Sequence, residues 1–225
     1  MQKFILLICC FCCLHLQAQQ KTILPKGFVY ITEHIPHIQI DLKYCGSHNF
    51  IGRPIDGYVF PKAIFTHKAT IALAKVEKEL NKQGLGLKIF DAYRPQAAVN
   101  HFKRWAQDIN DTLMRREFYP MIDKRVLFKQ GYIASKSGHS RGSTIDVTII
   151  DLASKEELDM GTEFDFFGDA SSHDHPNLTT TQTKNRKLLK NLMVKHGFRP
   201  YSKEWWHYTL NDEPFKETYF DFEVK

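Results

Sequence analysis

An acidic residue within an apolar, β-branched segment is the feature that most restricts how this chain can fold. Residues 143–150 (STIDVTII) have the composition of a strand at the centre of a sheet, and Asp146 lies inside that segment. A carboxylate at such a position must be exposed on the sheet face, paired with a cation or bound to a metal ion, because an unpaired buried charge is very costly. The fold therefore has to expose Asp146 at a face of the sheet or supply it with a cation or a metal ion.

Helix and strand patterns are mixed along the rest of the chain, without the regular βαβ order that accompanies a parallel sheet. Residues 63–83 and 184–196 carry apolar side chains at helical spacing and each segment is closed by a glycine. A third helix is expected after Pro95, which is well placed as a first helical residue. Residues 87–91 and 204–210 have strand patterns. These elements predict an α+β fold with a central antiparallel sheet and packed helices.

The first 18 residues have the layout of a secretory signal peptide. Lys3 supplies the positive start, residues 4–14 are apolar and uncharged, and cleavage is expected after Ala18. The apolar run is shorter than the about 20 residues that a membrane-spanning helix needs. We therefore expect one mature domain, residues 19–225, which is secreted or periplasmic and has no transmembrane span. Lipid attachment at a cysteine of the leader is the alternative.

Cysteine usage and charge indicate which disulfides and which binding partners the mature chain can have. Four of the five cysteines fall within the leader, so Cys45 is left alone and the mature chain has no internal disulfide. The formal charge of +6 permits anionic partners, but Lys and Arg are scattered, which favours a solvated basic surface and no nucleic-acid partner. His173 and His175 form an HxH pair that is expected in a solvated loop, with a second metal site as the alternative. The sequence assigns no role to Cys45 and leaves the oligomeric state open.

Three polar segments lie on or beside the predicted core strands. SGHSRGSTID contains His139 and Asp146, EWWHY contains Glu204 and His207, and DAYRP places Arg94 at the end of a strand. Zinc hydrolases use three protein ligands drawn from His, Asp and Glu and keep one position open for water. We therefore predict one zinc ion per chain, bound by His139, Asp146 and His207. Glu204 would act as general base on the activated water, and Arg94 would stabilise the oxyanion.

The spacing of these residues leaves an alternative open and raises a geometric problem. The pattern differs from HExxH, and His139 could instead serve a turn while Asp146 pairs with a Lys or Arg and the two tryptophans fill the core. On an ideal strand Glu204 and His207 point to opposite faces. Glu204 must therefore lie in the turn before the strand, or a bulge must re-aim it.

Five motifs together resemble those of the VanX-type D-alanyl-D-alanine dipeptidases, zinc peptidases related to D,D-carboxypeptidases and to the hedgehog signalling domain. They are DLKYxxxxNFxG, DAYRP, SGHSRGSTID, DMGTxFDFF and EWWHY, in the family's order, and they span about residues 28–210. The resemblance implies the same zinc ligands, general base and arginine: His139, Asp146, His207, Glu204 and Arg94. It also implies that four further residues line the dipeptide pocket: Tyr44, Tyr58, Ser137 and Asp165.

The chemistry of a free dipeptide fits this implied pocket. The substrate carries an ammonium at one end, which suits Asp165, and a carboxylate at the other, which suits the Ser137 hydroxyl. The methyl side chains of D-alanine give little apolar surface, so specificity must come from the charged ends and from steric closure. The expected reaction is hydrolysis of D-Ala-D-Ala to D-alanine. The alternatives are a D,D-carboxypeptidase that trims larger cell-wall peptides, and a non-catalytic zinc-bearing module, which would need neither Glu204 nor Arg94.

Overall fold

A computed structural model describes residues 23–225, so the predicted signal peptide lies outside the described residues. Within this part of the chain no helix is both long and apolar enough to cross a membrane. The strands are β1 (Phe28–Tyr30), β2 (Gln39–Ile40), β3 (Ile64–Thr66), β4 (Leu85–Asp91), β5 (Thr144–Asp151), β6 (Phe198–Tyr201) and β7 (Glu204–Leu210). The helices are α1 (Ile31–His34), α2 (His67–Asn81), α3 (Gln96–Gln107), α4 (Arg115–Phe118), α5 (Leu127–Gln130) and α6 (Thr180–Lys195).

The strand order confirms the α+β class. Five strands form one sheet in the order β2-β4-β5-β7-β6, and β1 pairs with β3 in a separate antiparallel ribbon. All neighbours in the large sheet are antiparallel except the edge strand β2, which runs parallel to β4. The predicted central strand is β5, and it is buried along almost its whole length. The sheet is thus antiparallel around β5 and mixed only at one edge.

Local caps explain why two helices begin at residues other than those predicted. The segment predicted as helix from residue 63 first forms β3, and the Thr66 side chain then accepts a hydrogen bond from the Ala69 backbone N–H to start α2. Helix α6 begins at Thr180 rather than at residue 184, because Thr179 and Gln182 form a reciprocal capping box. The helix expected after Pro95 is α3.

The core lies largely between the sheet and its helices. It is packed against one face of β5, and the side chains on the opposite face are not part of that packing. Leu73 of α2 and Met193 of α6 are completely buried in the same apolar cluster as Ile145 and Val147 of β5. Successive side chains of a strand point to opposite faces. Asp146 therefore points away from the face of the sheet that Ile145 and Val147 fill.

Candidate active site

Strand register places three polar residues in one row across β4, β5 and β7. Asp146 is paired with Asp91 on one side and with His207 on the other. Directly opposed residues on neighbouring antiparallel strands have Cβ atoms about 4.5–5.5 Å apart. The sheet itself therefore brings the Asp146 carboxylate and the His207 imidazole together.

His139 reaches this row from a short 3-10 helix, Gly138–Arg141, that directly precedes β5. The Ser137 hydroxyl caps this helix by accepting a hydrogen bond from the His139 backbone N–H at 3.2 Å. Gly142 ends it with φ +79, which favours glycine, and a Cβ at this position would collide with the ring of Phe28. The tight turn leaves the His139 side chain fully buried beside Asp146.

The three predicted ligands converge on one point. Nε2 of His139 lies 3.3 Å from Nδ1 of His207 and 3.3 Å from Oδ2 of Asp146, and Nδ1 of His207 lies 3.0 Å from Oδ1 of Asp146. Zinc bonds of about 2.0–2.1 Å in a tetrahedral arrangement put the ligand atoms about 3.3 Å apart. The residues therefore fit a zinc ion in donor type and in spacing.

Two details indicate that these atoms present lone pairs to a cation. Nδ1 of His139 lies 2.7 Å from the Ala92 carbonyl oxygen, which can only accept, so the proton sits on Nδ1 and the Nε2 lone pair faces the other ligands. Oδ1 of Asp146 is buried and accepts no hydrogen bond from the described residues, although His207 Nδ1 is only 3.0 Å away. A bound metal ion would satisfy both atoms.

Burial and charge set the ionisation of the ligands. Burial lowers the pKa of His139, which favours the neutral imidazole that a metal needs. Burial alone would raise the pKa of Asp146, but His139 and His207 outweigh it and hold that pKa well below its usual range. For His207, burial acts to lower the pKa, but the nearby Asp146 carboxylate outweighs it and the pKa is raised overall. A metal ion that binds this ring must therefore displace a proton that the metal-free protein holds more firmly.

Arg94 lies beside the ligands and is fixed by Asp91. Its Nε donates to Oδ2 of Asp91 at 2.8 Å, its Nη2 is 3.5 Å from Oδ2 of Asp146, and its guanidinium lies 5.1 Å from the centroid of the Tyr44 ring. Asp91 is completely buried and also accepts a hydrogen bond from the Tyr58 hydroxyl at 2.5 Å. This role of Asp91 is not among the sequence predictions, although an acid three residues before an arginine at a strand end is a usable signal.

Glu204 shares the side of the sheet that His207 occupies because the pairing at the start of β7 is irregular. The β6–β7 register shifts between Pro200 and Tyr201, which is the kind of local re-aiming that the sequence required. Oε2 of Glu204 lies 3.5 Å from Nδ1 of His207. Burial raises the pKa of Glu204 to about 7, which is near the optimum for a general base at neutral pH.

A cavity of about 200 Å³ opens beside these groups. Its wall contains four residues of the predicted machinery and three of the expected substrate contacts: Arg94, Asp146, Glu204, His207, Tyr44, Ser137 and Asp165. Tyr58 is not part of this wall and reaches it only indirectly, through its hydrogen bond to Asp91. The wall also includes polar residues to which the sequence assigned no role, among them Tyr132, Lys136 and Tyr201.

Asp165 contributes a buried carboxyl group to the wall. Its φ of 62 lies in the left-handed region, which is uncommon for a residue other than glycine. The Tyr44 hydroxyl donates to its Oδ2 at 2.8 Å. Burial, with a further contribution from Asp146, raises the pKa of Asp165 well above its usual range. A cationic group that enters the cavity would favour the ionised carboxylate.

His173, His175 and Cys45 are not part of the wall of this cavity. His173 is buried with its ring centroid 5.8 Å from that of Tyr208, so the expectation of a solvated loop is wrong for this residue. Among residues 23–225, neither His173 nor His175 belongs to a group of converging metal-ligand atoms. Burial raises the pKa of Cys45 to about 11, which suppresses the reactive thiolate.

Comparisons with known proteins cover nearly the whole described chain. The family model for peptidase M15, D-ala-D-ala dipeptidase, matches residues 25–225. The D-alanyl-D-alanine dipeptidase of Enterococcus faecium is 41% identical over 199 residues, which cover 88% of this chain and 98% of that protein. The D-alanyl-D-alanine dipeptidase of Streptomyces coelicolor is 39% identical over 197 residues, again 88% of this chain and 98% of that protein. Among solved structures, a mutant of the vancomycin resistance D,D-pentapeptidase VanY in complex with Zn(II) overlaps loosely, with a TM-score of 0.41 and 12% identity over 68% of this chain and 76% of that chain.

Proposed function

The chain belongs to the peptidase M15 family of D-Ala-D-Ala dipeptidases, and from this premise we propose that it hydrolyses free D-alanyl-D-alanine to two molecules of D-alanine with one zinc ion. The observation that carries the proposal is the convergence of His139, Asp146 and His207 beside a small cavity. Glu204, a carboxylate outside the ligand set, lies on the wall of the same cavity. Three ligands and a separate base are the parts that metal-assisted peptide hydrolysis requires.

Glu204 performs the proton transfers of this reaction. When bound, the zinc ion would polarise the scissile carbonyl and lower the pKa of a water molecule. Glu204 accepts a proton from the attacking water as the new C–O bond forms, and it donates that proton to the amide nitrogen as the C–N bond breaks. A pKa of about 7 suits both transfers, because the carboxyl gains and loses a proton at similar cost near neutral pH.

Arg94 stabilises the negative charge that develops on the carbonyl oxygen. Its Nε is held by Asp91 and its Nη2 lies 3.5 Å from Asp146, and the fixed guanidinium forms part of the cavity wall. The guanidinium is mostly buried and fixed before the substrate arrives, so little reorganisation accompanies the reaction.

The cavity wall selects the substrate by its ends and its size. Asp165, oriented by the Tyr44 hydroxyl, binds the ammonium group of the dipeptide. The volume of about 200 Å³ lies below the range of about 300–1,000 Å³ that is usual for drug-sized ligands. Such a cavity favours a free dipeptide over cross-linked wall polymer.

The proposal is tested by assaying the purified mature chain, residues 19–225, against D,D-, L,D- and L,L-dipeptides, with and without a chelator. We expect D-Ala-D-Ala to be hydrolysed, the activity to disappear with the chelator and to return with added zinc. Faster cleavage of a pentapeptide that ends in D-Ala-D-Ala would show instead that larger wall peptides are the substrate. Activity that survives complete metal removal would refute the metal-dependent mechanism.

We further propose that the enzyme acts outside the cytoplasm, in the periplasm or at the cell surface. The support is the charge and apolar pattern of residues 1–18. Cell fractionation with N-terminal sequencing should find a mature chain that starts at Gln19. A lipid-modified cysteine would favour the anchored alternative, and an uncleaved cytoplasmic chain would contradict export.

A further inference from the structure

A zwitterionic dipeptide presents a carboxylate that the residues assigned so far do not neutralise. The wall of the cavity carries three carboxyl groups, those of Asp146, Asp165 and Glu204. The lysine and arginine side chains on the same wall are Arg94 and Lys136. If the proposed function is correct, Arg94 and Lys136 are the lysine and arginine side chains that this wall offers to the negative end of the substrate.

Arg94 is already committed to other carboxylates. It pairs with Asp91 at 2.8 Å and with Asp146 at 3.5 Å, and only 13% of its side chain is exposed. Its remaining hydrogen-bonding capacity is assigned to the carbonyl oxygen at the reacting centre. A second, permanent negative charge at the end of the dipeptide needs a different cation.

Lys136 is an exposed residue of the cavity wall, and it has no carboxylate partner among the described residues. Its Nζ lies over the aromatic face of Tyr219, 4.9 Å from the ring centroid, and this is the contact that the described residues offer it. Arg141, which also lies near the Tyr219 ring, is instead held by both carboxylate oxygens of Glu213 at 2.8 and 2.9 Å. A cation–π contact at an exposed position is weak enough to be exchanged for a carboxylate.

We propose that Lys136 is a specificity-determining residue that binds the α-carboxylate of the substrate. It directly precedes Ser137, whose hydroxyl oxygen accepts the bond from the His139 backbone and whose own proton can be donated to the same carboxylate. Lys136 then binds the carboxylate of the zwitterion and Asp165 binds its ammonium group, and both residues belong to the same cavity wall. This inference rests on the proposed function and deepens it, because Lys136 would select substrates that have a free C-terminal carboxylate.

Kinetics on the zinc-loaded enzyme with D-Ala-D-Ala and its C-terminal amide test this role. The Lys136→Met variant should raise KM for the free dipeptide roughly tenfold, the effect of losing one charge-assisted hydrogen bond, with kcat little changed. Lys136→Arg should restore most of the affinity. KM for the amide should be the same in Lys136→Met and in the wild type. Lys129→Met is the matched control, because Lys129 is an exposed lysine of α5 that is not part of the cavity wall.

Two outcomes would overturn the inference: an unchanged KM for the free dipeptide in Lys136→Met, or an equal rise for the dipeptide and the amide. Calorimetric binding of both peptides to the Glu204→Gln protein, with and without Lys136→Met, separates this inference from the proposed function. If the wild type turns over neither peptide, the proposed function fails. The inference then stands if Lys136→Met still weakens binding of the dipeptide alone, and it falls if binding is unchanged.

Discussion

Replacing Glu204 by glutamine should slow turnover strongly while zinc stays bound. Glutamine keeps the shape of the side chain but cannot accept a proton. General acid–base catalysis contributes about 10²–10⁴ in rate, and here one carboxylate carries the proton both from the water and to the leaving amine. We therefore expect turnover to fall by roughly 10³ or more, which corresponds to about 4 kcal/mol in the barrier. The zinc content should remain at one ion per chain, because His139, Asp146 and His207 are unchanged.

The same substitution should stabilise the metal-free protein at alkaline pH. Burial raises the pKa of Glu204 from 4.5 to about 7, and only 16% of its side chain is exposed. Below pH 4.5 the carboxyl is protonated in both states; as the pH rises, the unfolded chain loses its proton first, and the folded state loses stability until about pH 7. At 1.36 kcal/mol per pKa unit this loss is about 3 kcal/mol. Glutamine has no proton to lose, so the variant should be more stable than the wild type by about this amount at pH 8.

Urea denaturation of chelator-treated protein at pH 5 and pH 8 measures the effect, with zinc-loaded protein assayed in parallel for turnover. The difference between variant and wild type should grow from pH 5 to pH 8. Glu217→Gln, which makes the same change at an exposed position, should show no such difference. Equal stability of wild type and Glu204→Gln at pH 8 would refute the desolvation argument. Turnover within roughly tenfold of the wild type would remove Glu204 as the base.

Three further changes probe the ligands, the arginine support and a buried histidine. His207→Ala should lose zinc by metal analysis, whereas the exposed His37→Ala should keep it; stoichiometric zinc in His207→Ala would overturn the ligand assignment. Asp91→Asn removes the closer of the two carboxylates that pair with the buried guanidinium of Arg94, so denaturation should show a loss of about 3–5 kcal/mol and kcat should fall with zinc retained. Unchanged stability would contradict the buried pair. Burial lowers the pKa of His173 from 6.5 to about 4, so the unfolded chain takes up a proton first and stability should fall by about 3 kcal/mol as the pH drops through this window. His173→Leu should remove that part of the acid sensitivity, and an unaltered pH profile would show that His173 is not its source.

The three residues that converge at the proposed zinc site were predictable because their signals are local. Asp146 is a charge inside a β-branched strand, and His207 follows two tryptophans in another, so each residue is out of place in its own segment. The resemblance to a known family gave the same residues their roles. The long strands β4, β5 and β7 were predictable for a similar reason, since each is long enough to show a composition or an alternation.

Features that depend on which strands are neighbours were not predictable from one sequence. The position of Asp91 directly opposite Asp146 arises from the pairing of β4 with β5. The parallel edge strand β2 is only two residues long, which is too short to show a pattern. The burial of His173 arises from packing near Tyr208, while its own segment is polar and suggests a solvated loop. Local composition describes a residue's immediate neighbours in the chain and cannot report these distant contacts.

Because Asp91, Asp146 and His207 form one row across three strands, binding of the proposed zinc ion should favour the native strand register. A slip of one residue between β5 and β7 would turn every side chain of the slipped strand to the other face, and His207 would be lost to the cation. A misaligned chain would then forgo the free energy that the proposed zinc ion would give to the native state. Refolding in the presence of zinc should therefore increase the fraction of chains with the correct strand register. Zinc occupancy would then report that strands far apart in the sequence are correctly paired.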